Sequence, residues 1–458
     1  MPRVLAATAI ALITTSLVAG CSLLTSLNDL APTSDAGGGD HTSPIADSGT
    51  DTRSDAADSA DAATRYNDMT SSSFWSTFDT TSVNANAKGF IGAAFDSRYL
   101  YLVPANGTNG VVTRYDTRAS FTAGTAWSSF DTTTLNPNAK GFFGAVFDGR
   151  YVYLVPNGLG SLSGLVARYD TQIDFLGVPS WSFFDTTTVN VGAKGFRGAV
   201  FDGKYVYFVP NDNGAVSGVV TRYDTSAPFG IGASWSTFDT ATVDPGAKGF
   251  VGAAFDGRYV YLVPANNGAT DGVIARYDTK ASFATGGSWA TYDVATVNPG
   301  AKGFSGSSFD GRYLYLVPYG NGAYDGVVAR YDTQANFTSA ASWVIFDTGT
   351  LNVGALGFFG SSFDGRYVYF APLNNGSPDG VIARYDTQMS FTAPASWTTF
   401  DIATVSPGAK GFRGAAFDGH YLYLVPGYNG TPSALVARFD AKTPPSMPKL
   451  PGWSGSFF

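Results

Sequence analysis

The chain has 458 residues, 44% of them hydrophobic, 15% aromatic and only 14% charged, with a formal net charge of −8. That length buries roughly 75% of the unfolded surface, in one large domain or about two to three ordinary ones. All 36 acids are Asp, histidine occurs only at His41 and His420, and Cys21 is the sole cysteine. These counts exclude a Cys/His zinc centre, an internal disulfide, and any Ser-His-Asp triad not built on His420, since His41 falls in a low-complexity stretch.

Met1-Pro2-Arg3 carries one positive charge, and Val4 to Ala19 is apolar except for Thr8 and Thr14-Thr15-Ser16. The run is short for a membrane span, which needs about 20 residues, and suits the core of a signal peptide over 1–20. It ends in Val18-Ala19-Gly20-Cys21, which resembles a bacterial lipobox. The resemblance implies cleavage before Cys21, a diacylglycerol on its sulfur, and an acyl chain such as palmitate on the new amino terminus. Several acyl chains anchor stably where one does not, so the membrane is the first expected partner. Ser22 after the cysteine favours the outer membrane by the habit of such lipoproteins. An ordinary secretory signal with an incidental cysteine is the alternative.

From Ser22 to Ser73 the composition shifts to Asp, Ser, Thr, Ala and Gly, with nine Asp against Arg53 and Arg65. A segment with little to bury and strong self-repulsion stays extended, so 21–73 reads as the acylated cysteine followed by a disordered spacer. A metal-binding acidic tail is the alternative, which the irregular Asp spacing disfavours. Nearly all the net charge falls here, and the near-neutral remainder lacks the basic face that nucleic acid demands.

The rest of the chain repeats. Trp75, Trp127, Trp181, Trp235, Trp289, Trp343, Trp397 and Trp453 are spaced 52, 54, 54, 54, 54, 54 and 56 residues apart. Seven units begin at Phe90, Phe142, Phe196, Phe250, Phe304, Phe358 and Phe412. In the fourth, an apolar strand ends at Phe255, the Asp256-Gly257 turn leads to a strand ending at Val263-Pro264, and an Asn-Gly loop precedes Val273 to Asp278. The Trp289 strand closes the unit. Asp-Gly between apolar runs is a strong hairpin signal. Four short strands per unit, seven times over, predict an all-β, seven-bladed β-propeller over 74–458. A linear β-solenoid is the alternative, and it favours shorter rungs. Gly252-Ala253-Ala254 marks the first strand as innermost, where the sheets converge on the axis.

The unit resembles a kelch repeat. Tyr259-Val260-Tyr261, Arg276-Tyr277-Asp278 and Trp289 match that family's tyrosine strand, Tyr-Asp pair and tryptophan in order and spacing. The resemblance covers Phe74 to about Trp453 and departs where kelch strands end in Gly-Gly, here Val263-Pro264. Trp75 opens a fourth-strand sequence with no blade before it, while the seventh copy lacks a good fourth strand. Residues 74–79 should therefore close the ring, with Trp453 as a terminal strap; the reverse assignment is the alternative.

What every unit repeats should hold the wheel together. Arg276 and Asp278 face the same way on one strand, recur as Arg114 and Asp116 and in five further copies, and need partners between blades, arginine with carboxylate being the favoured pairing. Trp75 and Trp235 belong to the same structural set. Lys88, Lys140, Lys194, Lys248, Lys302 and Lys410 (Leu356 in the sixth copy) head the units and should ring the channel mouth. They either form salt bridges to acids such as Asp239 or Asp293, or focus a positive potential that holds a phosphate, sulfate or sugar acid. Residues that break the repeat, Asn211, Asp212, Asn267, Tyr319, Asn375 and Tyr428 among them, lie between second and third strands on the same face, where they suit either a sugar or plain turns.

The resulting expectation is a lipid-anchored envelope protein binding a carbohydrate or a surface or matrix protein through one propeller face, with no cofactor and no metal. A propeller glycosidase or polysaccharide lyase is the rival, disfavoured by the absence of Glu and by the few carboxylates outside the pattern: Asp174, Asp212 and Asp244. No catalytic residue is assigned. A structural envelope protein without a dedicated ligand is the third reading.

Overall fold

The Asp-Gly turn forms in every unit, and the aspartate holds it. Asp256 Oδ1 accepts from the backbone N–H of Arg258 (2.8 Å) and Tyr259 (2.6 Å), and its Oδ2 from the hydroxyl of buried Tyr261 (2.6 Å). Gly257 sits at φ +100°, which L side chains rarely adopt. In the first unit Ser97 takes that position at φ 79°, the one non-glycine residue with positive φ among the described residues.

The computed structural model describes residues 63–450 apart from 106, 159 and 160, together with the backbone of 456 and 457. The signal peptide, Cys21, the spacer up to residue 62 and Trp453 lie outside the described residues.

Each hairpin continues into a four-stranded antiparallel sheet running from innermost to outermost strand; in blade 4 these strands are Phe250–Phe255, Tyr259–Pro264, Val273–Asp278 and Trp289–Asp293. Innermost strands touch in order from blade 1 (Phe90–Phe95) to blade 7 (Phe412–Phe417) and back to blade 1, which makes a closed seven-bladed propeller. The N-terminal Trp75–Asp79 strand is the fourth strand of blade 7, pairing Trp75 with Phe439 and Asp79 with Leu435. The chain joins the wheel earlier than the composition break at Ser73 suggests. Arg65–Tyr66 pairs with Lys442–Thr443, Met69 is fully buried, and the Trp75 indole donates to the Met69 carbonyl at 2.9 Å. The backbone of Ser456–Phe457 adds to the free inner edge of blade 1, opposite Ala94 and Ala93.

The hydrophobic core lies between blades. Trp235 stacks on Phe184 of the preceding blade at 4.6 Å, packs against its own Tyr223 at 4.8 Å, and donates to the Phe229 carbonyl at 3.1 Å. Such a buried indole contributes both area and ring geometry. At the axis the waist is made of glycine: a Cβ on Gly252 (φ +76°) would lie 3.2 Å from the Cα of Gly306 in the next blade. Each inner strand shifts register there, between Phe250 and Ala253 in blade 4. The expectation that large side chains are excluded from the innermost strand holds only at this waist. Two residues earlier than the Ala, at the end nearest the crossover loops, Phe143 and Phe359 meet across the axis at 6.0 Å.

The Arg–Asp pair of the third strand is structural in a different way from that expected. Asp278 pairs with Arg258 of the hairpin turn (2.7 Å), and Asp116 with Arg98 (2.7 Å). Arg276 instead lies between two rings, Tyr259 of its own blade at 4.2 Å and Phe337 of the next at 4.5 Å; Arg114 lies likewise between Tyr99 (4.2 Å) and Phe175 (4.4 Å). A guanidinium plane stacks on aromatic faces better than an ammonium does, which explains Arg at that place. Asp and Arg two residues apart are thus held by different neighbours.

Candidate functional site

The second-to-third-strand loops and the crossovers between blades share one face of the wheel; the Asp-Gly hairpins occupy the other. Each crossover starts at the last Asp of a blade. Asp239 Oδ1 accepts from the backbone N–H of Ala241 (3.0 Å), and Asp293 Oδ1 from that of Ala295 (2.9 Å), each capping a short 3-10 turn. The chain then passes an alanine and a lysine to reach the next inner strand.

The half-buried crossover lysines from Lys140 onward therefore do not find the acids expected of them. Asp239 and Asp293 are spent on their own turns, and Lys140, Lys194, Lys248, Lys302 and Lys410 form no ion pair among the described residues. Two of these lysines, Lys140 and Lys194, line an open cleft of about 940 Å³, with Asn136, Asn138, Ser161 and Asp185. The cleft opens beside the first blade, where six residues separate Pro104 from Val111 against eight between Pro210 and Val219. The Trp75–Trp127 spacing of 52 was the trace of this in the sequence.

Of the repeat-breaking loop residues, three are taken up in holding the loop. Asn211 is buried, and its Nδ2 donates to the Phe250 carbonyl of the next blade at 2.9 Å. Asn267 and Asn375 donate to the carbonyls of Gly246 (3.2 Å) and Gly354 (3.3 Å), tying loop to crossover, as Asn213, Asn321 and Asn429 also do. These asparagines recur in five of the seven units, blades 3 to 7, and the second unit has Leu159 at that position. Asp212 is exposed and caps its own loop at Gly214 N–H (2.8 Å). Tyr428 is 45% exposed, and Tyr319 packs edge-on against Tyr324 (5.7 Å) and Phe359 (6.1 Å). Asp212, Tyr319 and Tyr428 thus remain on the loop face as available groups.

The odd carboxylates do not converge. Asp174 and Asp244, like Asp212, each accept from a backbone N–H two residues on, at Leu176 and Gly246. His420 takes the place of the hairpin arginine: its Nε2 lies 2.9 Å from Asp440 Oδ1, and its ring stacks on Tyr421 at 3.9 Å.

Two sets of residues on this face escaped the sequence reading. Asp271, Asp325 and Asp379 stand just before the third strands of blades 4, 5 and 6, where other copies have Ser163, Ser217 or Ser433. All three are buried, with one carboxylate oxygen lacking any partner. Burial drives their carboxyls up to about 6, 7 and 6 respectively. The highest belongs to Asp325, whose crossover neighbour is Leu356 rather than lysine; the Lys410 charge pulls Asp379 down. The second set is Arg197 and Arg413, at the second position of their inner strands. That position differs among most copies (Ile91, Phe143, Arg197, Val251, Ser305, Phe359, Arg413), which was the available signal.

No protein-family model matches the chain, and no curated protein matches it. Solved structures do. It is similar to a streptogramin B lyase, with a TM-score of 0.54 at 9% identity over 80% of this chain and 97% of that one. Virginiamycin B lyase from Staphylococcus aureus gives 0.52 at 9% identity, over 80% of this chain and 98% of that one. The likeness is one of fold. At such identity the lyases' activity stays with those proteins.

Proposed function

We propose that the protein is a lipid-anchored binding module of the bacterial envelope, kelch-like in its repeat, that holds an acidic carbohydrate on its loop face. One observation carries the reading: an open cleft on that face presents Lys140 and Lys194, neither of them in an ion pair among the described residues. Two ammonium groups against the single carboxylate of Asp185, beside Asn and Ser side chains, suit carboxylates or sulfates spaced along a polysaccharide. The Val18-Ala19-Gly20-Cys21 run supports export and anchoring, and the Asp-rich stretch after it would hold the propeller clear of the membrane.

The test is binding of the full chain, in mild detergent, to polygalacturonate and to neutral dextran. Polygalacturonate should bind in a salt-sensitive way, dextran should not, and Lys140→Gln with Lys194→Gln should weaken binding at least tenfold. Binding of neither polymer would leave a protein ligand or a structural role. Metabolic palmitate labelling of the wild type, lost in Cys21→Ala, tests the anchor.

A further inference from the structure

At the loop-face end of the axis the second residues of the inner strands converge. Ile91, Phe143 and Val251 pack together with Ala105, and Phe359 packs against them, so the mouth has an apolar floor. Two of the seven positions carry arginine instead. Arg197 Cζ lies 5.0 Å from the centre of the Phe143 ring. Arg413 lies over Gly427, where a Cβ would come within 2.5 Å of Arg413 Cγ. Residue 427 follows the proline of the second strand, and the corresponding residues are Ala105, Asn157, Asn211, Ala265, Tyr319 and Leu373. Blade 7 thus breaks the repeat twice at one spot, and the second break makes room for the first.

Neither side chain makes a hydrogen bond or ion pair among the described residues, and the Nε of each is buried without a partner. The recurring Arg276 and Arg330 also bury an unpartnered Nε, but each has its plane between two rings, at 4.2 and 4.5 Å, whereas Arg197 has the Phe143 ring alone. Burial lowers both guanidinium groups, and Arg413 lowers Arg197 further by repulsion; Asp212 is the one acid that opposes this at Arg197, and its Oδ1 already caps Gly214. Tyr319 and Tyr428 face Arg413. Like charges held in an apolar mouth are costly unless an anion completes the site.

We propose that this axial mouth binds a small ligand bearing one compact oxyanion beside a ring, with Arg197 and Arg413 as the clamp and Phe143, Phe359 and Tyr319 as the surface under the ring. A guanidinium fork matches the two oxygens of a carboxylate and equally those of a sulfate or phosphate. The mouth involves none of the cleft residues Lys140 and Lys194, and it stands or falls independently of the polysaccharide reading.

The probes are D-glucuronate (anion and ring), D-glucose (ring alone) and inorganic sulfate (anion alone), titrated calorimetrically into the full chain in detergent. Glucuronate should bind saturably, sulfate should compete with it, and glucose should not bind. Arg197→Met or Arg413→Met should weaken glucuronate at least tenfold, and Arg413→Lys, which keeps charge and loses the fork, several-fold. Lys140→Gln with Lys194→Gln should leave this binding unchanged. Both methionine variants should melt at or above the wild-type temperature, because an uncompensated buried charge has been removed. A lower melting temperature would make the arginines structural and overturn the proposal. So would glucuronate binding that survives both methionine substitutions, that glucose matches, or that the lysine variant abolishes; so would the absence of saturable binding by either anion.

Discussion

The two faces of the wheel use the same kinds of side chain to opposite ends. On the hairpin face each Asp of an Asp-Gly turn accepts three hydrogen bonds, and Arg258 and its counterparts close onto the Asp at the end of the third strand. On the loop face Lys140, Lys194, Lys248, Lys302 and Lys410 form no ion pair among the described residues, Asp271, Asp325 and Asp379 each bury an oxygen with no partner, and Arg197 and Arg413 each bury an unpartnered Nε. Repetition explains the difference. The hairpin Asp, its Tyr and its backbone donors recur together in all seven copies, whereas Asp271, Asp325, Asp379, Arg197 and Arg413 stand in only some copies, without a recurring partner.

The comparison can be broken most severely at ring closure. Deleting residues 74–79 removes the outer strand of blade 7 and bares its edge, and should shift the protein toward aggregates relative to the wild type in the same detergent, as sedimentation would register. Trp75→Ala keeps the strand and loses the buried indole, and should cost about 3–5 kcal/mol in chemical denaturation. On the hairpin face Asp256→Ala orphans the buried Tyr261 hydroxyl and two backbone N–H groups, with an expected loss of about 2–4 kcal/mol.

The loop face should respond with the opposite sign. The Asp325 carboxyl, pushed up to about 7, binds its proton more tightly folded than unfolded, where it titrates near its ordinary value of about 3.9. The folded state therefore holds more protons between those values, and stability falls as pH rises through about 4 to 7. Asp325→Asn should stabilise at pH 7.5 by about 1–2 kcal/mol and flatten that slope, measured by denaturation at pH 5 and 7.5. Least affected should be Arg258→Ala, whose denaturation midpoint should stay close to that of the wild type, because a solvent-screened ion pair to Asp278 contributes little.

The candidate site was legible only in part. Lys140 and Lys194 are expected on the loop face because a crossover must begin where the last strand ends, and the sequence does not say that these two line a cleft. Asn267 and Asn375 looked like ligand groups and are loop ties, since an amide reaching a backbone carbonyl 21 residues away leaves no sign in one unit. Arg197 and Arg413 went unremarked although they stand in a position that varies among the copies.

Blade number, strand count and ring closure were determined by the sequence itself, because each rests on local chemistry repeated seven times: an Asp-Gly turn, alternating apolar residues, and one unpaired Trp75 strand. The partners of charges were decided by tertiary structure alone. Arg276 finds its rings on two different blades, and Arg197 finds no carboxylate to pair with; both outcomes follow from how neighbouring sheets meet, where distance along the chain carries no information about distance in space.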